Sequence, residues 1–226
     1  MRQNTVMLAG AVLLLGVSAA RADVISSTPT LPVLGVPYAS ATGAGCFPAA
    51  GVCVAPGSIT FDSLVSSTFN ASGQDIVVNA SLASTLTDLS DTPIGPVSLS
   101  GTIEQEVLGR TFSTETGSWA IDVLALSLSG LVLGHTLTLT LDPSESSTGG
   151  ASIAPAGDGN SPLFRIDSFF DVFVELDLDS VPPLHAERGP LHLSLPAAVP
   201  EPSTFAIFAG GLLVTAALRR RRAVAA

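Results

Sequence analysis

The sequence predicts an all-β fold: a single antiparallel β-sandwich, jelly-roll-like, placed between an N-terminal signal peptide and a C-terminal transmembrane helix. From Ser58 onward, apolar and polar residues alternate with a period of two, which is the pattern of strands that bury one face. About eight such segments follow one another at spacings of roughly ten to fifteen residues, separated by turn residues. No convincing amphipathic helix is found between them, so the predicted body is all-β.

The clearest strand covers residues 97–107, where one face is apolar and the other carries Ser, Thr and Glu. The segment 119–128 changes parity, because Trp119 to Val123 and Leu124 to Leu128 place their apolar residues on opposite faces. One inserted residue near Val123–Leu124 would reconcile the two halves, so we predict a β-bulge there, or a strand buried on both faces. The remaining predicted strands lie near residues 59–61, 75–86, 137–141, 166–178 and 191–195.

The body is predicted to begin at residue 58 and to end at residue 195. Residues 23–57 are rich in Pro and Gly and are predicted to form an extended lead-in, with a short edge strand near Leu31–Val36. Residues 142–162 are rich in Ser, Gly and Pro and are predicted to be a polar loop. Cys46 and Cys53 are the only cysteines, and in an oxidising compartment they are predicted to form one disulfide within the lead-in.

The N-terminus has the pattern of a secretory signal peptide over residues 1–22. Arg2 supplies a basic start, an apolar run follows, and Ala20-Arg21-Ala22 has the form of an A-x-A cleavage site. Cleavage is predicted between Ala22 and Asp23. The alternative is an uncleaved N-terminal anchor, although the apolar run is short for a membrane span.

The C-terminal residues 196–226 predict three features in order: a segment that breaks secondary structure, an apolar helix of membrane length and a positively charged cluster that stops transfer across the membrane. Pro200 and Pro202 lack amide donors and disfavour helix at the preceding residue, so the chain around Glu201 is predicted to be extended. No residue from Ser203 to Leu218 is charged, and a transmembrane helix is predicted over residues 204–218. The four arginines that follow hold this end on the cytoplasmic side, which places the body outside the cytoplasm: Arg219, Arg220, Arg221 and Arg222.

This order of Val-Pro-Glu-Pro-Ser, short apolar helix and arginine cluster resembles the PEP-CTERM sorting signal of Gram-negative bacteria. The resemblance covers roughly the last 28 residues. It implies recognition of Pro200, Glu201 and Pro202 by exosortase, a membrane-embedded transpeptidase that processes its substrates near this tripeptide. It also implies a link to exopolysaccharide production and biofilm formation. The alternative is an ordinary single-pass anchor whose prolines cap the helix.

The charge balance excludes nucleic acid as a partner. Residues 23–199 contain 3 arginines, no lysine and 18 acidic residues, a formal net charge of −15. A surface of this sign repels polyanions and anionic lipid headgroups and favours solubility.

No catalytic or cofactor motif is recognised, so we predict that the protein is not an enzyme. The sequence has no G-x-S-x-G elbow and no phosphate-binding glycine loop. Its three histidines, at positions 135, 185 and 192, match no zinc-binding spacing and are predicted to lie at strand ends or on the surface. No cofactor is expected, with calcium as the one candidate.

The calcium candidates lie on one predicted strand, residues 165–179. Its polar face carries five carboxylates, which repel one another unless they are solvated or bridged by a cation: Asp167, Asp171, Glu175, Asp177 and Asp179. The alternative is a solvated edge strand whose charges block pairing with another sheet. A straight strand does not wrap its carboxylates around one ion, which favours this alternative.

Three functions remain open at this stage. The first is a non-enzymatic cell-surface or matrix protein that is exported and sorted through its C-terminal signal. The second is a calcium- or polysaccharide-binding module, although one Trp and one Tyr offer few aromatic faces for a sugar. The third is an extracellular hydrolase whose site is not recognised, since triad residues can lie far apart in sequence.

Overall fold

The computed structural model describes residues 24–156, 163–179 and 184–195. These residues form ten antiparallel strands in one sheet, with no helix among them. The strands are β1 (Val24–Ser26), β2 (Pro37–Phe47), β3 (Val52–Phe69), β4 (Gly73–Asp88), β5 (Pro93–Leu108), β6 (Gly117–Val132), β7 (His135–Leu141), β8 (Thr148–Pro155), β9 (Phe164–Leu178) and β10 (Leu184–Ser194).

The sheet closes on itself. Each strand from β2 to β6 pairs with the next one along the chain, β9 pairs with β10, and β10 pairs with β2. The last gap is filled by β7 and β8, which lie end to end between β6 and β9 and pair with both. The closed sheet therefore has eight strand positions, seven held by β2–β6, β9 and β10 and the eighth shared by β7 and β8.

The all-β, antiparallel prediction is confirmed, whereas the arrangement differs from a two-layer jelly roll. From β2 to β7, and again from β8 to β10, strands that are neighbours in sequence are paired, so the Greek-key crossings of a jelly roll are absent from the described strands. Several strands are 15 to 18 residues long, and the pairing of β3 with β4 shifts register three times. Such irregularities bend and twist a strand, which allows one continuous sheet to curl and close.

The interior contains the apolar face of each strand. In β5, Val97, Leu99, Ile103 and Val107 are buried, as the alternation predicts. The predicted bulge is also confirmed: the partner of Glu104 is Ala125 and the partner of Gln105 is Val123, so Leu124 has no partner on β5. Leu124 is 49% exposed, and this single extra residue lets both halves of β6 bury their apolar side chains.

Residues 24–57 are part of the sheet and do not form a lead-in to it. They contain β1, β2 and the start of β3, and small residues with few large apolar side chains conceal this in the sequence. The predicted edge strand at Leu31–Val36 is not found; this stretch is irregular, yet Leu31 and Val33 are buried in the core. The sheet therefore starts before the predicted boundary at residue 58.

Part of the predicted loop 142–162 is the strand β8. Only Ala151 and Ile153 of β8 are buried core residues, so the alternating signal is short. Gly149 is needed for a close approach, because a side-chain carbon there would collide with the backbone carbonyl oxygen of Phe169. The small residues of β8 suggest a loop in the sequence, and the same small residues let β8 lie close beside β9 in the sheet.

Both ends of the described body lie side by side. Val24 of β1 pairs with Ile166 of β9, and the amide of Leu195 donates a hydrogen bond to the carbonyl of Ser168, at 3.2 Å. The predicted signal peptide, with its predicted cleavage between Ala22 and Asp23, and residues 196–226 lie outside the described residues. Within the part of the chain that is described, no helix is long and apolar enough to cross a membrane.

Candidate functional site

The acidic strand β9 lies inside the sheet and is not an edge strand. It pairs with β10 on one side and with β1 beyond the end of β10, and with β7 and β8 on the other side. The edge-strand interpretation of its carboxylates is therefore wrong, because it required a strand with one free side. The acidic side chains instead alternate with the buried residues of β9 and face outward.

Two of these carboxylates are paired with histidines of β10. His185 Nδ1 lies 2.8 Å from Asp177 Oδ1, and His192 Nδ1 lies 2.7 Å from Asp171 Oδ1. The members of each pair are direct register partners across β9 and β10. Neither pair can be found from the sequence, because both depend on the pairing of β10 with β9; His185 also precedes the predicted strand 191–195, and the register shifts between Arg188 and Leu191.

The structure does not bring the five calcium candidates together. A strand rises about 3.3 Å per residue, so Asp167 and Asp177 are about 33 Å apart and one ion cannot bind all five carboxylates. In the described ranges, no group of three or more Asp, Glu, His or Cys side chains is arranged to hold a metal ion. Glu175 lies on β9 like Asp167, whereas Asp179 follows the last residue of the strand, and its carbonyl accepts a hydrogen bond from His135.

One end of the closed sheet, which we call the open end, contains an apolar cavity of about 180 Å³. It lies where β2, β4, β6 and β9 finish and where β3, β7 and β10 begin. The floor and walls are aliphatic and aromatic side chains that include Phe47, Leu86, Val132, Leu137, Leu178 and Leu184. Leu133, in the turn between β6 and β7, stands at the mouth and is 66% exposed.

The disulfide Cys46–Cys53 lies beside the open end. The two cysteines are register partners across β2 and β3, and they close the hairpin whose turn is residues 48–51. The predicted bond is confirmed in the structure, though it joins two strands of the sheet instead of pinning a lead-in segment.

The opposite end, which we call the sealed end, is closed by Arg110. Its guanidinium is completely buried and donates hydrogen bonds to Gln74 Oε1 at 2.8 Å, to the carbonyl of Ser113 at 2.8 Å and to the carbonyl of Pro29. It also stacks on Trp119, 5.2 Å from the ring centroid. Burial lowers the pKa of Arg110, and the Glu115 carboxylate acts in the opposite direction.

Tyr38 and Gln105 are among the other polar side chains buried in the interior. Tyr38 packs against Phe61 and Phe170, and its hydroxyl lies 2.8 Å from Ser168 Oγ. Burial raises the pKa of Tyr38 to about 12. Gln105 is also fully buried, and neither its amide nitrogen nor its amide oxygen has a hydrogen-bond partner among the described residues.

The comparisons with known proteins identify the C-terminus alone. Residues 198–222 match the PEP-CTERM protein-sorting motif, which includes Pro200, Glu201, Pro202 and the arginines 219–222. No curated protein and no solved structure matches the chain. The chain thus carries a PEP-CTERM sorting motif, as its sequence predicts, and the motif lies outside the described residues.

Proposed function

We propose that this chain is a non-enzymatic protein of the cell surface or extracellular matrix, exported across the inner membrane and released or anchored by exosortase. The observation that carries the proposal is the PEP-CTERM motif at residues 198–222. This motif indicates exosortase-dependent sorting of an exported protein, and the remaining features of the chain are consistent with that route.

The geometry of the body supports a removable tail. All described strands lie within residues 24–195, and the sheet closes without any residue of the tail. The chain leaves the sheet at Leu195, only a few residues before Pro200, so the motif follows directly on the folded body. Processing near the motif would leave the closed sheet intact.

A role in the matrix, next to exopolysaccharide, fits the chemistry of the outer surface. The body has a formal net charge of −15 and its outward faces are rich in Ser, Thr and Asp. Such a surface stays dispersed among neutral polysaccharides and does not bind polyanions. We propose a non-enzymatic role because no catalytic motif is recognised in the sequence.

The sorting role is tested by Glu201→Ala in a host that carries exosortase. We expect the variant to stay in the membrane fraction at full length, because the recognition tripeptide is broken. Glu145→Ala, which removes an exposed carboxylate from the loop after β7, is the matched control and is processed normally. Release of Glu201→Ala at the rate of the unaltered protein would mean that the tail is only an anchor.

Metal independence is a second test of this proposal. We expect the same melting temperature in calcium and in a chelator, because the carboxylates of β9 are spread along a strand and two of them pair with histidines. A rise in melting temperature with calcium would favour the calcium-binding alternative.

A further inference from the structure

We propose that the cavity at the open end binds the alkyl end of a small neutral or cationic amphiphile. The site is formed by the ends of seven strands and is separate from the sorting signal. The ligand class follows from three properties of the cavity: its volume, its lining and the polar groups at its mouth.

The volume suits a ligand end of about six carbon atoms. An apolar cavity of roughly 150 Å³ lined by Leu, Ile and Phe stays dry and binds benzene. The cavity here has a similar lining and measures about 180 Å³. Deeper entry is blocked, because Leu137 and Leu139 are fully buried and fill the interior beyond it. A hexyl chain or a ring of similar size is therefore the expected occupant.

The lining contains one polar side chain, His135, which indicates the type of headgroup. His135 Nδ1 lies 2.6 Å from the carbonyl oxygen of Asp179. Since a carbonyl only accepts hydrogen bonds, Nδ1 donates to it, and Nε2 is the ring nitrogen that remains for a ligand headgroup. A hydroxyl group suits this nitrogen, because a hydroxyl can both donate and accept a hydrogen bond.

The charges around the mouth of the cavity favour a neutral or cationic headgroup over an anionic one. Asp88 and Asp91 lie in or next to the turn between β4 and β5, and Asp177 and Asp179 lie at the end of β9. The turn between β4 and β5 and the end of β9 belong to the open end, because Leu86 and Leu178 line the cavity. Four carboxylates near one opening repel an anionic headgroup and attract a cationic one.

The proposal is tested with three probes that share one chain: 1-hexanol, hexylammonium and hexanoate. Residues 23–199, which contain the complete closed sheet, are titrated with each probe while the methyl resonances of Leu86, Val132 and Leu137 are followed by NMR. For hexanol and hexylammonium we expect dissociation constants on the order of 1 mM, since about six methylene groups are buried. Hexanoate is expected to bind roughly tenfold more weakly.

Two variants locate the site. Val132→Trp fills the cavity from inside, and Ala50→Trp fills it from the exposed turn between β2 and β3; each is expected to abolish binding. Leu124→Trp, at the exposed bulge of β6, adds the same side chain elsewhere and leaves binding unchanged. If Val132→Trp does not fold, Ala50→Trp decides. The proposal is overturned if no probe shifts these methyl groups at about ten times the expected dissociation constant. It is also overturned if Ala50→Trp binds normally or if hexanoate binds as tightly as hexanol.

Discussion

The two ends of the closed sheet solve the same physical problem in different ways. Every closed sheet leaves interior side chains exposed at both openings unless something covers them. At the sealed end, Arg110 closes the opening with three hydrogen bonds and a stacked Trp119, and residues 27–36 lie across it through Pro29. At the open end the described residues leave an apolar cavity next to the disulfide hairpin.

The difference shows how stability and binding are divided within one sheet. At the sealed end, neutral hydrogen-bond acceptors take the place of water around the buried guanidinium of Arg110. Removing any one of these groups leaves another buried polar group without its partner. The open end carries no buried polar network of this kind and is held by a covalent bond across β2 and β3. Substitutions at the two ends should therefore differ in how much they lower the free energy of unfolding and in whether they impair stability or binding.

The largest effect is expected for Arg110→Ala. It removes three hydrogen bonds and leaves Gln74 Oε1 and the carbonyl of Pro29 without this donor in the interior, so the free energy of unfolding should fall by about 3 kcal/mol. Urea unfolding measures the loss. Arg110→Lys keeps the charge but lacks the planar fork, and it should recover only part of the stability. A loss below about 1 kcal/mol for Arg110→Ala would show that the network does not seal this end.

Removing the disulfide should lower the free energy of unfolding slightly less than Arg110→Ala does, and its effect should lie at the open end. For Cys46→Ser with Cys53→Ser, we expect a loss of roughly 2–3 kcal/mol on the chain-entropy estimate for a short loop. The melting temperature of the double variant is compared with that of the reduced and oxidised unaltered protein. Equal stability of all three would mean that the hairpin is held by its strand pairing alone.

Tyr38 lies in the interior between the two ends, and the ionisation of its hydroxyl can be followed by a pH titration. It is the only tyrosine, so absorbance near 295 nm reports this residue alone. Burial raises its pKa from about 10 in the unfolded chain to about 12 in the folded protein. The protonated hydroxyl therefore contributes to the free energy of unfolding in full below pH 10, and this contribution is lost as the pH rises toward 12. The free energy of unfolding should fall by about 2–3 kcal/mol across this window.

Tyr38→Phe provides the control for that titration. The variant lacks the hydroxyl that bonds Ser168, and its stability should not show the decline that begins at pH 10. A folded-state midpoint near 10 in the unaltered protein would instead place the hydroxyl in contact with water.

The smallest effect, with the opposite sign, is expected for Gln105→Met. Both polar atoms of the Gln105 amide lack a partner in the described part of the interior, so replacing the amide with an apolar side chain of similar shape removes a desolvation cost. We expect a gain of about 1 kcal/mol in urea unfolding. Destabilisation would show that the amide belongs to the polar network of the sealed end.

Part of this architecture can be predicted from the sequence, because it depends on local alternation. The strands of residues 75–107 and the bulge at Leu124 follow from the parity of the apolar residues. Two cysteines in an exported chain allow only one intramolecular bond. The sorting motif is likewise a local pattern, and the comparison with known families confirms it.

Closure of the sheet cannot be predicted in the same way. A closed sheet and a two-layer sandwich need the same alternation, and only the long-range pairing of β7 and β8 with β9 distinguishes them. The strand β8 is concealed by Gly149 and Gly150, which the close packing against β9 requires. Arg110 is hidden for another reason: an isolated arginine after a turn gives no periodic signal that it will be buried.

The pairing of β9 with β7 and β8 tests the account most directly, since the two ends exist only if the sheet closes. NMR of residues 23–199 should show cross-strand contacts between the backbones of Leu139 and Leu176 and between those of Ile153 and Ile166. The closed sheet predicts both contacts together with the pairing of β10 and β2. Absence of the β9 contacts while the β2 to β6 pairings are observed would contradict closure and restore the two-layer sandwich.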